Sequence, residues 1–446
     1  MRTPLTTAEA WTAAKALQAR ADVVWAEPDL PVYASDASPV TPNDPQFSSQ
    51  WDAWDTAGAA GGYGTRVPAT WNRSKGDPSI VVAVLDSGLT VHPDITSSVV
   101  APTAADQNVK GYDFVSGDPD YSGATYYVAN DGNGRDSDPS DPGDWVGSAD
   151  ASGSTAGGVL LNCPVETSSW HGTHVTGTIV ARQGNAEGIT GIAPGVKVQP
   201  VRVLGRCGGY ASDINDAIEW ASGGHIDGVP DNATPASVIN LSLGGPGQCL
   251  TSTQTAISDA RSRGTTVVVA AGNSGGDAAN EQPASCNNVI TVSAVGPTGT
   301  LADYSNYGEK VDVAAPGGSG ASPAADNVLS TLNLGTTVQG AEGYAWYAGT
   351  SMAAPHVAGV VALIQSAAGT PKTPAQVEKI LRNTAYANGG FPGGCSYALP
   401  CGTGIIDATA AVRVANGTDP LPSDPPGPPP PPPATELFNG VTVTAI

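Results

Sequence analysis

At 446 residues the chain can hold one large core or two to three domains. Its 41 acidic residues against 19 basic ones leave a net charge of −22. Such an excess repels phosphate backbones and anionic lipid, which argues against nucleic acid and membrane surfaces as partners. Charged residues make up only 13% of the chain, about half the usual ~25%, so the surface must be rich in Ser, Thr, Asn and Gly, as in many extracellular proteins. Six cysteines in a lysine-poor, Gly/Pro-rich chain point to three disulfides and an oxidising compartment. Proximity favours only Cys395–Cys401 among the possible pairings, and the absence of a Cys-x2-Cys pair argues against a metal cluster. No apolar run is long enough to cross a bilayer, and Met1-Arg2-Thr3-Pro4 does not lead into a signal-peptide core. The expectation is a chain that begins inside a longer precursor.

In chain order, residues 6–20 read as a short amphipathic helix and Ala21 to Ala26 as a strand. The Pro/Ser/Asp-rich residues 34–45 then form a boundary and an exposed cleavage site. Ile80 to Leu85 is a continuous β-branched run that ends in Asp86-Ser87-Gly88, the pattern of a buried parallel strand. Val196 to Val203, Ser237 to Leu243, Thr265 to Ala271 and Val289 to Val295 repeat that character. Helical stretches at His171 to Ala181, Asp213 to Ala221 and Thr251 to Ser262 separate several of these runs. The alternation predicts an α/β fold, a doubly wound, mainly parallel sheet flanked by helices in three layers. Active residues then belong at the carboxyl ends of strands, where Asp86, Ser242 and Asn273 all fall.

Between Phe114 and Trp170 the chain is polar and without periodicity, which predicts surface loops. Alternating oxygen-bearing residues over Asp131 to Asp138 suggest part of a calcium loop or a solvated turn, the glutamate of a full helix–loop–helix site being absent. Residues 417–434, with prolines unbroken from Pro428 to Pro433, predict a semi-rigid linker. After it, Glu436 to Ile446 alternates like one strand, which cannot bury a face alone and so predicts a further domain.

Four segments carry the chemistry: Val84-Leu85-Asp86-Ser87-Gly88, His171-Gly172-Thr173-His174, Ala270-Ala271-Gly272-Asn273 and Gly349-Thr350-Ser351-Met352-Ala353-Ala354-Pro355-His356. A serine among small residues at a helix start suits a hydroxyl that attacks a carbonyl, and Pro355 is tolerated in a first turn. Acyl transfer to that serine also needs a base, a carboxylate to orient it and donors for the oxyanion. These motifs, in the order Asp, His, Asn, Ser, resemble the subtilisin family of serine peptidases over roughly Thr41 to Ala411.

The resemblance implies Ser351 as nucleophile, His171 as general base, Asp86 as orienting carboxylate, and the Asn273 amide with the Ser351 N–H as oxyanion donors. It also implies substrate pairing along Ser242, Leu243 and Gly244, with Ala271 and Gly272 opposite and Glu281 at the pocket floor. An acidic floor there favours Lys or Arg before the scissile bond. His174 and His356 are then structural, and His92 and His225 structural or superficial. Pro42-Asn43-Asp44-Pro45 resembles the mature start of thermitase-like relatives. That implies a calcium site with Asp44, Asp94 and the Asn185 side chain, completed by backbone carbonyls of Arg182, Glu187 and Ile189, hard oxygen donors of the kind calcium takes.

Residues 1 to about 36 resemble the last helix and strand of an inhibitory pro-segment, and Glu436 to Val441 the opening of a small appended β-sandwich. A disulfide-bearing branch of the family implies the pairs Cys163–Cys207, Cys249–Cys286 and Cys395–Cys401. The domains expected are therefore a pro-segment remnant at 1–40, a catalytic domain at 41–416, a linker at 417–434 and the first strand of a further domain at 435–446. The function implied is a secreted, monomeric, calcium-stabilised serine endopeptidase whose partners are protein or peptide substrates and its own pro-segment. A peptide ligase or cyclase on the same scaffold and an inactive calcium-dependent binding protein are the alternatives.

Overall fold

A computed structural model of the chain describes residues 39–54, 63–95, 111–117, 126–154, 158–386 and 400–423, the positions 20, 23 and 395, and two strands within 435–444. The chain divides into two compact units, Met1–Ser38 and Pro39–Ile446. The helix expected over 6–20, the strand expected over 21–26 and the proline run lie outside the described residues, Arg20 and Val23 excepted.

The second unit is built on parallel strands, β1 (Val81–Asp86), β2 (Tyr112–Asp113), β3 (Lys197–Arg202), β4 (Val238–Leu241), and, after a two-residue β5 (Gly245–Pro246), β6 (Thr266–Ala270). A short β7 (Glu281–Gln282), β8 (Ile290–Val295) and β9 (Val313–Pro316) follow. The main sheet has seven strands in the order β2-β3-β1-β4-β6-β8-β9, and every pair in it is parallel. From β1 the chain first builds β2 and β3 on one side and then returns to build β4 and the rest on the other. That reversal opens a crevice outside the carboxyl ends of the central strands, the place where doubly wound sheets hold ligands.

Both faces of the sheet are covered, which is why its strands read as continuous apolar runs and not as alternations. Val82 and Val84 face one core with α1 (His171–Val180), whereas Ala83 and Leu85 face a second core with α2 (Ala211–Ala221) and α3 (Thr251–Ser262). The first core also takes α4 (Thr350–Ala367), α5 (Pro374–Thr384) and α6 (Ala408–Ala415). Helix α4 is buried almost all round, with Val357, Val360, Val361, Leu363 and Ile364 fully enclosed. Each such side chain contributes roughly 1.5–3 kcal/mol of burial, so the sheet grips the helix that carries Ser351 at its first turn.

An antiparallel hairpin, β10 (Val328–Asn333) with β11 (Glu342–Tyr347), packs on α1. The insertion before α1 is more than surface loop. Its Val115, Val128, Ala129 and Leu160 form a small core of their own, and it holds a single helical turn at Ser148–Ala151. The Asp131–Asp138 stretch turns on its own carboxylates, Asp131 accepting from Asn133 N–H and Asp136 from Asp138 N–H. Asp131 also pairs with the buried Arg202, so a guanidinium stands beside this carboxylate. The three disulfides are Cys163–Cys207, Cys249–Cys286 and Cys395–Cys401, the pairs the resemblance implies. The closing segment differs from expectation: β12 (Thr435–Phe438) and β13 (Val441–Thr444) form an antiparallel pair where one strand was expected. Asn439-Gly440 between them is a favoured hairpin dipeptide.

Candidate active site

Asp86 ends β1 and His171 opens α1, and two local features bring them together. Gly172 lies so close to the β1 turn that a Cβ there would stand 2.2 Å from the Gly88 carbonyl oxygen, so only glycine allows this approach. The Gly172 N–H then donates to Ser87 Oγ at 3.0 Å. The imidazole Nδ1–H donates to Asp86 Oδ1 at 2.7 Å, and the same oxygen accepts the Ser87 N–H at 2.8 Å. Asp86 is fully buried, and its Oδ2 has no protein partner among the described residues. Burial alone pushes the His171 pKa down, but the charge and hydrogen bond of Asp86, joined by the charges of Asp144 and Asp141, raise it above its ordinary value.

Ser351 sits in the first turn of α4, where backbone N–H groups lack helical partners and the helix dipole favours negative charge. Its Oγ donates to the Ser242 carbonyl at 3.1 Å, and Ser242 Oγ donates back to the Ser351 carbonyl at 2.8 Å. Pro355 explains the second bond. It is the sixth residue of α4 and not part of its first turn. Its missing N–H therefore leaves the Ser351 carbonyl without the usual i+4 donor, and the Ser242 hydroxyl fills the vacancy. Asn273 follows β6, its Oδ1 accepting from both the N–H and the Oγ of Thr350 at 2.9 Å. With the oxygen engaged, Nδ2 is the group left to donate.

His171, Ser351, Asn273, Ser242, Leu243 and Gly244 line one cavity of about 1080 Å³ with Gly272 and Glu281. Ala271 is buried at the end of β6, next to that wall. Glu281 lies between Gly244 and Gly272: a Cβ at Gly272 would stand 2.8 Å from its Cγ, and one at Gly244 3.2 Å from its Oε1. Partial burial raises the Glu281 carboxyl, and among the described residues no cation pairs with it. The other histidines are occupied structurally. His356 bonds the Met352 carbonyl and Asp52, His174 stacks on Tyr347 and bonds the Ala345 carbonyl, and His92 bonds the Gly343 carbonyl. Exposed His225 pairs with Asp231.

The six residues expected to hold calcium also converge. The Asp94 carboxylate accepts from Asn185 Nδ2 at 2.7 Å and from Ile189 N–H at 3.1 Å, and its carbonyl accepts from Arg182 N–H at 2.8 Å. Asp44 accepts from Gly184 and Asn185 N–H, and Glu187 N–H donates to Asn185 Oδ1. The Asn185 oxygen thus faces Glu187 and not Asp94. Burial raises the Asp94 carboxyl against three hydrogen bonds that lower it. Among the described residues no ammonium or guanidinium pairs with Asp44 or Asp94, and no three His, Cys, Asp or Glu side chains form a metal cluster. The two carboxylates suit a hard cation, and a full oxygen shell requires the Asn185 oxygen to turn toward them and backbone carbonyls to complete it.

Four contributors have no role in the motif reading: Thr350, which sets the Asn273 amide, Ser87, and the insertion carboxylates Asp141 and Asp144. Ser87 and Thr350 lie within the motif segments beside Asp86 and Ser351, so adjacency is their signal. Asp141 and Asp144 come from an aperiodic stretch in which nothing marks them out.

A parallel α/β sheet with a paired aspartate and histidine, a serine in the first turn of a helix and a side-chain amide gathered around one crevice is an arrangement suited to serine nucleophile chemistry. The sequence profile of the Subtilase family matches residues 77–404, and this chain belongs to that family. An extracellular protease of Xanthomonas campestris pv. campestris is 48% identical over 408 residues, covering 92% of this chain and 62% of its own length. An extracellular basic protease of Dichelobacter nodosus is 41% identical over 416 residues, covering 92% and 62% respectively. The chain therefore spans less than two thirds of the length of these relatives. A solved protease structure from Pseudoalteromonas arctica PAMC 21717 shares 46% identity with a TM-score of 0.74, covering 84% of this chain and 100% of that one.

Proposed function

We propose that this protein is a secreted serine endopeptidase that hydrolyses exposed peptide bonds through an acyl-enzyme. Ser351 Oγ leaves the Ser242 carbonyl by rotation about χ1 and attacks the scissile carbonyl carbon. His171 takes the hydroxyl proton and returns it to the leaving amine, and Asp86 holds the imidazole in the tautomer that presents Nε2 to Ser351. Asn273 Nδ2 and the Ser351 N–H receive the oxyanion. Water then attacks the ester, with the same histidine as base. The observation that carries this reading is the 2.7 Å Asp86–His171 bond in the crevice that also holds Ser351. The names of the extracellular proteases that resemble the chain support secretion.

The substrate lies extended along Ser242, Leu243 and Gly244 as an added strand, opposite Ala271 and Gly272. Glu281, which no cation pairs with among the described residues, selects Lys or Arg before the scissile bond. A calcium ion, when bound, supplies structural cross-linking; Asp44, Asp94 and Asn185 hold it by side chains, and Arg182, Glu187 and Ile189 by carbonyls. Residues 1–40 act as a pro-segment remnant, 41–416 as the catalytic domain, 417–434 as a linker and 435–446 as the start of a further domain, and the enzyme works as a monomer.

Labelling with a fluorophosphonate, paired with peptide cleavage read by mass, tests the reaction. Labelling maps to Ser351, products gain the mass of water, and Ser351→Ala loses labelling and roughly 10⁶-fold in kcat. Labelling that survives in that variant overturns the assignment, and joined peptides without water gain identify a ligase.

A further inference from the structure

We propose that Asp144, delivered by the insertion ahead of α1, is a positioning residue for the general base, clamping the turn that feeds His171 into the crevice and stabilising its imidazolium during acyl transfer. The proposal rests on the serine-peptidase reading of the site. Asp144 accepts two bonds from Ser169, N–H to Oδ1 and O–H to Oδ2, each 2.6 Å. Charged acceptors make such bonds about twice as strong as neutral ones. Ser169 Oγ in turn accepts the His171 N–H at 3.3 Å, one of the donors that the start of a helix leaves unmatched.

The residue between them is strained. Trp170 is held at φ 49°, ψ 32°, a region costly for a bulky side chain, and such strain persists only where neighbours over-determine it. The Trp170 indole donates to the Gly335 carbonyl at 2.6 Å, and Tyr347 OH to the Ser169 carbonyl at 2.8 Å. Asp144 is the charged member of this set and lines the same cavity wall as His171. Its position before the first turn of α1 also suits the helix dipole.

The ionisable groups around the imidazole are Asp86 from β1, Asp141 and Asp144 from the insertion, and His174 from α1 itself. Burial pushes His174 down to about 3, so it stays neutral through the working range. Asp141 bonds Ser87 Oγ and not Ser169, and burial pushes it up to about 7. Glu166 faces Asp144 across the wall, and its carboxyl is raised by burial first and then by the Asp144 charge. Base catalysis needs neutral imidazole, so activity rises with pH through the His171 pKa. Removing a negative charge beside it lowers that pKa and moves the acid limb of kcat/KM to lower pH.

The test compares kcat/KM–pH profiles of the wild type, Asp144→Asn, Asp144→Glu and Ser169→Ala on one chromogenic peptide, with active sites counted by fluorophosphonate titration. Asp144→Asn moves the acid limb down by roughly half a pH unit and lowers kcat about 10-fold with KM little changed. Asp144→Glu keeps the wild-type limb, whereas Ser169→Ala lowers kcat and leaves the limb in place. If the amide variant does not fold, Asp144→Ser, which keeps an acceptor without the charge, carries the same comparison. An unmoved limb in titratable uncharged variants, or a loss confined to KM, overturns the proposal. A wild type that neither labels at Ser351 nor cleaves peptide overturns the peptidase reading instead, a result no Asp144 profile can mimic.

Discussion

Glu281 illustrates how much of the proposed selectivity rests on one side chain. It fills the gap between two glycines, and neither Gly244 nor Gly272 can gain a Cβ without pressing on it. A carboxylate partly removed from water, with no cation beside it among the described residues, leaves a deficit that a substrate guanidinium or ammonium can meet. Replacing it by Gln lowers kcat/KM for Arg and Lys peptides roughly 10-fold relative to Leu and Phe peptides, since the pair is only partly desolvated. Profiling both enzymes on a peptide library checks this, and equal cleavage of Leu, Phe and Arg peptides by the wild type rules out the acidic-floor role. The motif residues were legible in the sequence because the acyl transfer proposed for them fixes their types and the fold fixes their order. Ser242's bond to the Ser351 carbonyl was not, because it exists only where Pro355 withholds an N–H from a carbonyl that spacing places near no serine.

Among the elements, the five long parallel strands and the four long helices near the site were readable, since burial on both faces leaves unbroken apolar runs. The β10–β11 hairpin was not. Its Ser330 and Thr331 are buried, which breaks the alternation, because their hydroxyls donate to the His174 and Thr173 carbonyls of α1. Short β9 ends in Pro316 at the sheet edge, where a missing donor is tolerated but the apolar run is brief. Helix α5 carries a Thr373–Gln376 capping box, a signal that periodicity alone does not register. The hairpin seats on α1 at Gly177, where a Cβ would stand 2.1 Å from Thr331 Oγ1 and 2.6 Å from Ser330 Oγ. Gly177→Ala therefore destabilises the protein by about 1–3 kcal/mol through overpacking, measured as a lowered denaturation midpoint; an unchanged midpoint refutes the tight seating.

For the whole molecule, the chief electrostatic problem is a net charge of −22, which favours expansion by self-repulsion. The divalent cation proposed between Asp44 and Asp94 would relieve part of it and tie residues 42–45 to the loop after α1. At calcium 100-fold above its dissociation constant the stabilisation is about 2.7 kcal/mol. Chelation accordingly lowers Tm, calcium restores it, and Asp94→Asn abolishes the difference. A calcium-dependent Tm shift that survives in the Asp94 and Asp44 variants places the ion elsewhere.

Among the described residues the insertion is fastened to the scaffold at several separate points. Arg202 reaches into it to pair with Asp131 while holding Asp113 at the end of β2, Cys163 is tied to Cys207, and Ser168 bonds the Thr336 and Thr337 carbonyls beyond β10. A segment anchored in this way behaves as an exchangeable cassette. Swapping it between relatives that keep these moorings is expected to retune the charge beside the His171 imidazole while leaving the main sheet uncut.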